Sequence, residues 1–483
     1  MNYIPTIGLE IHAELKTKSK MFCSSPNDPF ETRPNVNVCE VCMGHPGTLP
    51  VANQEAITKV LKVGLALNCT IPEFSKFDRK NYFYPDLPKG YQISQYDMPF
   101  CKEGYLEVEG KKIRITRVHL EEDTARLVHP EKMNHSLVDF NRAGVPLMEL
   151  VTEPDIVSAK EAKAFAEALQ TILRYLNVSD ADMEKGQMRV EANVSVRSEE
   201  QKELGKKVEV KNLNSFQSVE KAIEFEIERQ TSVLESGKKV SQVTMGWDPA
   251  RGTTFVQREK EEAHDYRYFP EPDLPPLRFT KKEIEELKRK LPELPEARKK
   301  RFQEEYKLTE KETDIFVRFK DLGEYFEKVA SELALRPGSG QGDKKQAKLA
   351  ANYILSDLLG LLQGSSVIGK DFRITPEDFA ELVTLIHKGT ISSNIAKQVL
   401  KEMFATGEDP HHIIDAKGLK SLTNTKEIEE IVKEVIAGNP KAVEDYKKGK
   451  ETALQFLIGQ MMAKTRGTAS PDLASKTLKQ LLK

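Results

Sequence analysis

Apolar and polar positions alternate over residues 6–15. Ile7, Leu9, Ile11 and Leu15 fall on one side, and Thr6, Gly8, Glu10, His12 and Glu14 on the other. A period of two predicts a β-strand with one buried face. The pattern returns over 188–197, where Met188, Val190, Ala192, Val194 and Val196 alternate with Arg189, Glu191, Asn193, Ser195 and Arg197. A shorter run, 208–211, sets Glu209 and Lys211 on one face. Over 159–176 the period becomes helical, with Phe165, Leu169, Ile172, Leu173 and Leu176 recurring on one side. Ser158 and Glu161 have capping-box spacing at the start of this helix, and Asn177 is a natural stop.

Beyond Leu291-Pro292-Glu293-Leu294-Pro295 the chain reads as helix throughout. Thr375, Pro376 and Asp378 form a helix start, followed by Phe379, Leu382, Val383 and Ile386 on one face. Residues 338–343 read as a loop, and His411 and His412 as a surface pair at a joint rather than a metal site. The expected organisation is a mixed domain over 1–292, a helical domain over 293–410 and a helical tail over 411–483.

The 483 residues carry 73 basic and 75 acidic side chains, a formal net charge of −2. That excludes a globally basic nucleic-acid coat but not a local patch. Residues 441–483 depart from the balance, with nine basic residues against four acidic ones. No apolar run reaches the ~18 residues of a membrane span, and the first residues do not read as a secretory leader. Five cysteines are too few and too unevenly spaced for a disulfide framework, so a reducing cytoplasm is expected.

His12 between Glu10 and Glu14 is the first candidate for chemistry, because carboxylates and imidazole on one strand face can hold a divalent ion. A solvated acidic strand face would read the same way. Glu121-Glu122-Asp123 is either a solvated turn or a source of hard oxygen ligands. No Gly-x-x-x-x-Gly-Lys-[Ser/Thr] segment is present, so any ATP must be held by metal and strand side chains. Lys76–Asp86 and Asp265–Pro270 interleave basic and aromatic residues, reading equally as base-stacking surfaces or as core. Cys39-x-x-Cys42 with Cys23 upstream resembles a zinc knuckle short of a fourth ligand, while Cys69 and Cys101 have no matching spacing.

The run Val138-Asp139-Phe140-Asn141-Arg142-Ala143-Gly144-Val145-Pro146-Leu147-Met148-Glu149-Leu150, continuing to Thr152-Glu153-Pro154-Asp155, closely resembles the signature of the B subunits of bacterial aspartyl/glutamyl-tRNA amidotransferases. The resemblance extends to residues 7–12, 76–86, 210–216 and 265–273, and to a C-terminal stretch from Tyr446 to Met462. It implies an α+β fold: a cradle-shaped catalytic domain with an antiparallel sheet, related to glutamine synthetase, then a helical domain and a small helical tail that binds tRNA. It also implies ATP-dependent activation of the side-chain carboxylate of Glu-tRNA(Gln) or Asp-tRNA(Asn), then amidation. The family's kinase site, holding Mg2+, maps onto Glu10, His12, Glu122 and Glu191, the last being Asp in some relatives. Lys80 matches a lysine on the family's ammonia path. Some relatives bind zinc with Cys-x-Cys and Cys-x-x-Cys; here Ser25 replaces one cysteine, leaving a degenerate knuckle or one completed by His45. No Gly-Gly-Ser-Ser-Gly-Gly amidase signature is present. The expected partners are therefore misacylated tRNA and two further chains, a glutaminase A subunit with a small C subunit. A tRNA-binding scaffold without kinase activity and a free-standing ligase using ammonia from solution are the competing readings.

Overall fold

The computed structural model describes residues 2–130, 134–259, 266–335, 343–419, 425–465 and 471–482, which divide into two compact units, Met1–Pro295 and Glu296–Lys483. The first unit is mixed α/β. Its main sheet has eight strands, in the spatial order Thr253–Glu259, Val243–Asp248, Val208–Leu213, Met188–Ser198, Tyr3–Glu14, Pro146–Thr152, Lys111–Glu122 and Cys101–Val108. Neighbours are antiparallel except Val208–Leu213 and Val243–Asp248, which run parallel and are joined through the helix Phe216–Glu235.

Alternation in the two central strands becomes a division between faces. Ile7, Leu9, Ile11, Val190, Ala192 and Val194 are buried in one core with the helices Gln54–Ala66, Ala159–Tyr175 and Phe216–Glu235. Burying each such aliphatic side chain is worth about 1.5–3 kcal/mol, and a one-residue slip would reverse the faces, so the register is strongly determined. Glu10, His12, Arg189, Glu191 and Asn193 are thereby committed to the opposite face.

Ser158 caps the helix Ala159–Tyr175 as expected, accepting from the Glu161 amide at 3.2 Å. The reciprocal half of the box differs: the Glu161 carboxylate accepts from Val157 N and holds Lys111 at 2.7 Å, so it reaches past the cap residue. Asn177 follows the helix with φ +52°, in the left-handed conformation that ends it. Gly144 has φ +87° in the turn that leads into Pro146–Thr152, where its amide bonds Asp123 O and its carbonyl accepts from Met21 N.

In the second unit every regular element among the described residues is helical. Thr375 caps the helix Pro376–His387 by accepting from the Asp378 amide. Its core runs from Phe302 to Ile414, so the helix Pro410–Lys417 packs with the helices before it. The expected joint at 410 thus lies inside this core. A separate cluster begins at Ile428 and includes Val432, Leu457, Met461 and Leu478. His411 lies at the surface, 2.8 Å from Glu381. Of the expected loop at 338–343, residues 338–342 lie outside the described residues, as do Asp265, Arg466 and Lys483, and Asp343 opens the helix Asp343–Tyr353.

Candidate functional site

Register determines which acids meet on the polar face. Glu10 is directly opposite Glu191, and Asn193 opposite Glu209 on the next strand. Ligand atoms of Glu10, Glu191 and Glu209 lie within 4.8 Å of one another. Lys211 Nζ stands 2.8 Å from Glu191 and 3.5 Å from Glu209, and Asn193 Nδ2 donates to Glu10 at 3.2 Å. Burial, with Glu149, Glu191 and Glu209 nearby, pushes the Glu10 carboxyl above its ordinary range.

A second triad sits two residues along. His12, Glu121 and Glu149 also place their ligand atoms within 4.8 Å. His12 Nε2 is 3.3 Å from Glu149 and 3.9 Å from Glu121; His119 Nε2 is 3.4 Å and 3.8 Å from the same two acids. Burial opposes ionisation of Glu149, but His119, His12 and Lys80 outweigh it and hold the carboxyl well below its usual range. Burial likewise opposes the Lys80 charge, yet Glu121, Tyr268 and Glu149 keep the ammonium strongly favoured. The two triads share a cavity of about 500 Å3 with Lys80, Tyr82, Arg189, Tyr266 and Tyr268.

Glu10, His12 and Glu191, grouped by the family resemblance, line one cavity together with Lys80, but Glu122 does not join them. Successive strand residues face opposite ways, and here Glu121 faces the cavity. Glu122 lies on the reverse side, where it holds Lys89 at 2.8 Å and accepts from Ile93 N at 3.0 Å. Glu121 takes the place assigned to Glu122. Glu149 and His119 were not singled out from sequence. Glu149 is the lone acid in an otherwise apolar run, where nothing local marks it as functional. The aromatic segments divide between the two readings: Phe77 is core, Tyr82 lines the cavity, and Phe83 is 82% exposed. Tyr96 and Tyr268 stack at 4.3 Å beside the triads.

On the reverse side, Cys23, Cys39 and Cys42 bring their sulfurs within 4.8 Å of one another. Ser25 Oγ lies 3.9 Å from Cys42 Sγ, and the buried Lys20 Nζ 3.7 Å from it. His45 lines the same small cavity but is not part of the sulfur cluster. Three sulfurs and a lysine ammonium do not fit a closed tetrahedral zinc site, which needs four electron-pair donors.

Sequence comparison agrees with this architecture. The profile of the GatB/GatE catalytic domain matches residues 5–285, and that of the GatB domain matches residues 340–482. B subunits of aspartyl/glutamyl-tRNA(Asn/Gln) amidotransferases are similar over the whole chain. That of Carboxydothermus hydrogenoformans is 48% identical, covering 99% of this chain and 99% of its own. That of Thermoanaerobacter pseudethanolicus is 49% identical and that of Persephonella marina 48%, each covering 100% of both chains. With two triads of carboxylate and imidazole groups on its sheet and this likeness from end to end, the chain belongs to the family of aspartyl/glutamyl-tRNA(Asn/Gln) amidotransferase B subunits.

Proposed function

We propose that the polar face of the sheet transfers the γ-phosphoryl group of ATP to the side-chain carboxylate of Glu or Asp esterified to tRNA, after which ammonia displaces the phosphate to give the amide. The chain is one subunit of a tRNA amidotransferase, a ligase, and the two triads are the observation that carries the assignment of its chemistry. A carboxylate resists ammonia because its leaving group would be oxide; an acyl phosphate does not.

Glu10, Glu191 and Glu209 would hold one Mg2+, and His12, Glu121 and Glu149 a second; hard carboxylate oxygens suit that ion. Bound Mg2+ would neutralise and orient the transferring phosphoryl group. The buried Asn193 Oδ1 has no hydrogen-bond partner, which supports a further polar group beside Glu10. A neighbouring cavity of about 770 Å3 also contains Glu10 and Asn193, together with Lys206, Lys207, Lys239, Leu234 and Val240. It suits the nucleotide, with the base among the aliphatic side chains and the phosphates directed toward Glu10. Lys80, between Tyr266 and the acids, would line the path of ammonia.

The cradle shape and kinship with glutamine synthetase belong to this reading, since both reactions join ammonia to an ATP-activated carboxylate. So do a tRNA-binding tail and two partner chains, a glutaminase A subunit with a small C subunit. A cytoplasmic setting belongs to it as well; among the described residues no helix is long and apolar enough to cross a membrane. The test uses charged tRNA labelled with 18O in the side-chain carboxylate. Acyl-phosphate formation delivers one 18O to the phosphate released during amidation, whereas phosphate free of label refutes it.

A further inference from the structure

Lys20 is fully buried, and among the described residues no carboxylate lies within ion-pair distance of it. Its ammonium donates to Phe140 O at 3.2 Å and faces Cys42 Sγ at 3.7 Å. Burial pushes the Lys20 ammonium below its ordinary range, the nearby sulfurs oppose that, and the counter-charge within reach is a Cys42 thiolate. Cys42 Sγ accepts from the Cys39 amide at 3.2 Å and faces Lys20 Nζ, with Ser25 Oγ at 3.9 Å, while the Cys39 carbonyl lies 3.5 Å away. The Cys39 sulfur is 3.9 Å away, and Cys42 borders a cavity of about 100 Å3 shared with Cys23, His45 and Lys89. That space admits a molecule the size of water or peroxide.

We propose that Cys39 and Cys42 form a metal-free dithiol in which Lys20 occupies the position of a zinc ion and Cys42 is a resident, peroxide-reactive thiolate. The Cys23 thiol, which donates to Cys42, and then the Cys39 amide, Lys20 and Ser25 together hold the Cys42 thiol below its ordinary range against the effect of burial. The thiolate attacks one oxygen of hydrogen peroxide, forming an S–O bond as the O–O bond breaks. The departing hydroxide takes a proton and leaves as water. Cys39 sulfur then attacks Cys42 sulfur and displaces the oxygen as a second water. The two sulfurs lose two electrons, the peroxide gains them, and a Cys39–Cys42 disulfide remains. This chemistry lies behind the sheet, beside Glu122 and Lys89, and is independent of the phosphoryl-transfer reading.

The full chain, purified without chelator, should contain well under one zinc by elemental analysis. Methyl methanethiosulfonate at pH 6 should modify Cys42 at least tenfold faster than the buried Cys69 and Cys101, and stoichiometric peroxide should yield a Cys39–Cys42 disulfide by peptide mass spectrometry. Lys20→Met should shift the pH midpoint of Cys42 modification upward by at least one unit. Because that variant also empties a buried cation site, Cys39→Ser provides a second arm: it should block the disulfide and leave Cys42 modification fast. Stoichiometric zinc lost on Cys39→Ser, Cys42 reacting no faster than Cys69, or a disulfide to Cys23 in place of Cys39 overturns the proposal.

Discussion

Glu149 and His12 are direct cross-strand partners, with 3.3 Å between carboxylate and Nε2. Glu149 is also the cross-strand partner of His119, so one acid bridges an imidazole on each flanking strand. It remains ionised deep in the protein because those rings and Lys80 surround it. The two triads should therefore behave as separable ion sites. We expect Mn2+, as a spectroscopic substitute for Mg2+, to bind at two sites per chain. Glu149→Gln should abolish one and leave the site at Glu10, Glu191 and Glu209 within a few-fold of wild-type affinity. Electron paramagnetic resonance of a Mn2+ titration counts them; two undiminished sites in the variant would contradict the assignment.

Glu121 and Glu122 provide a sharper contrast because they adjoin in sequence and face opposite sides. Glu121→Gln should cut amide formation by about 10²-fold or more, the scale of losing one preorganised electrostatic group. Glu122→Ala should leave turnover of folded protein within a few-fold, yet lower stability by about 1–3 kcal/mol by leaving the half-buried Lys89 and the Ile93 amide without their acceptor. Denaturant unfolding together with turnover separates the two effects, and a Glu122 variant that is stable but inactive would reverse the assignment.

This contrast also marks where the sequence stops being legible. The strands carrying Glu10, His12 and Glu191 each bury one face, so alternation alone placed those residues. Lys111–Glu122 and Pro146–Thr152 lie deeper, with Val118, Leu120, Met148 and Leu150 buried along with His119, Glu121 and Glu149. Both faces of such strands avoid solvent, so hydropathy no longer distinguishes them. Only the pairing of His119 with Glu149 shows that Glu121 faces the cavity. The sulfur cluster was legible as Cys-x-x-Cys, but nothing in the sequence placed Lys20 against it.

Packing of the helix Gln54–Ala66 depends on Gly64. A methyl group there would lie 2.2 Å from Cys101 Sγ and 2.8 Å from its Cβ, in a fully buried position. Alanine gains up to about 1 kcal/mol in helix propensity, but overpacking costs about 1–3 kcal/mol. Gly64→Ala should therefore destabilise the chain on balance, and adding Cys101→Ala should recover part of the loss. Chemical denaturation checks both; a stabilised single variant would mean that the helix shifts freely.

A test of the tail needs a cut that respects its core. Removing 441–483 would strip Leu457, Met461 and Leu478 from Ile428 and Val432, so truncation after Leu419 is cleaner. Several tail cations are already paired, Lys448 with Glu444, Lys450 with Asp445 and Lys464 with Glu434. If the others meet phosphates, the truncated chain in its complex should bind tRNA more weakly. Its log–log salt slope should fall by roughly 0.7–0.9 for each phosphate no longer bound. Affinity across a salt series measures this, and an unchanged slope would make the tail purely structural.

The central claim is that the sheet's two triads carry phosphoryl transfer. Its most direct test is charged-tRNA-dependent phosphate release from ATP by the assembled amidotransferase carrying Glu10→Gln or Glu149→Gln, with tRNA affinity measured on the same preparations. Each variant should lose about 10²-fold or more in turnover while its tRNA affinity stays within about threefold, because the lost charge acts on the transferring group. Turnover within tenfold of wild type in both variants would contradict the account.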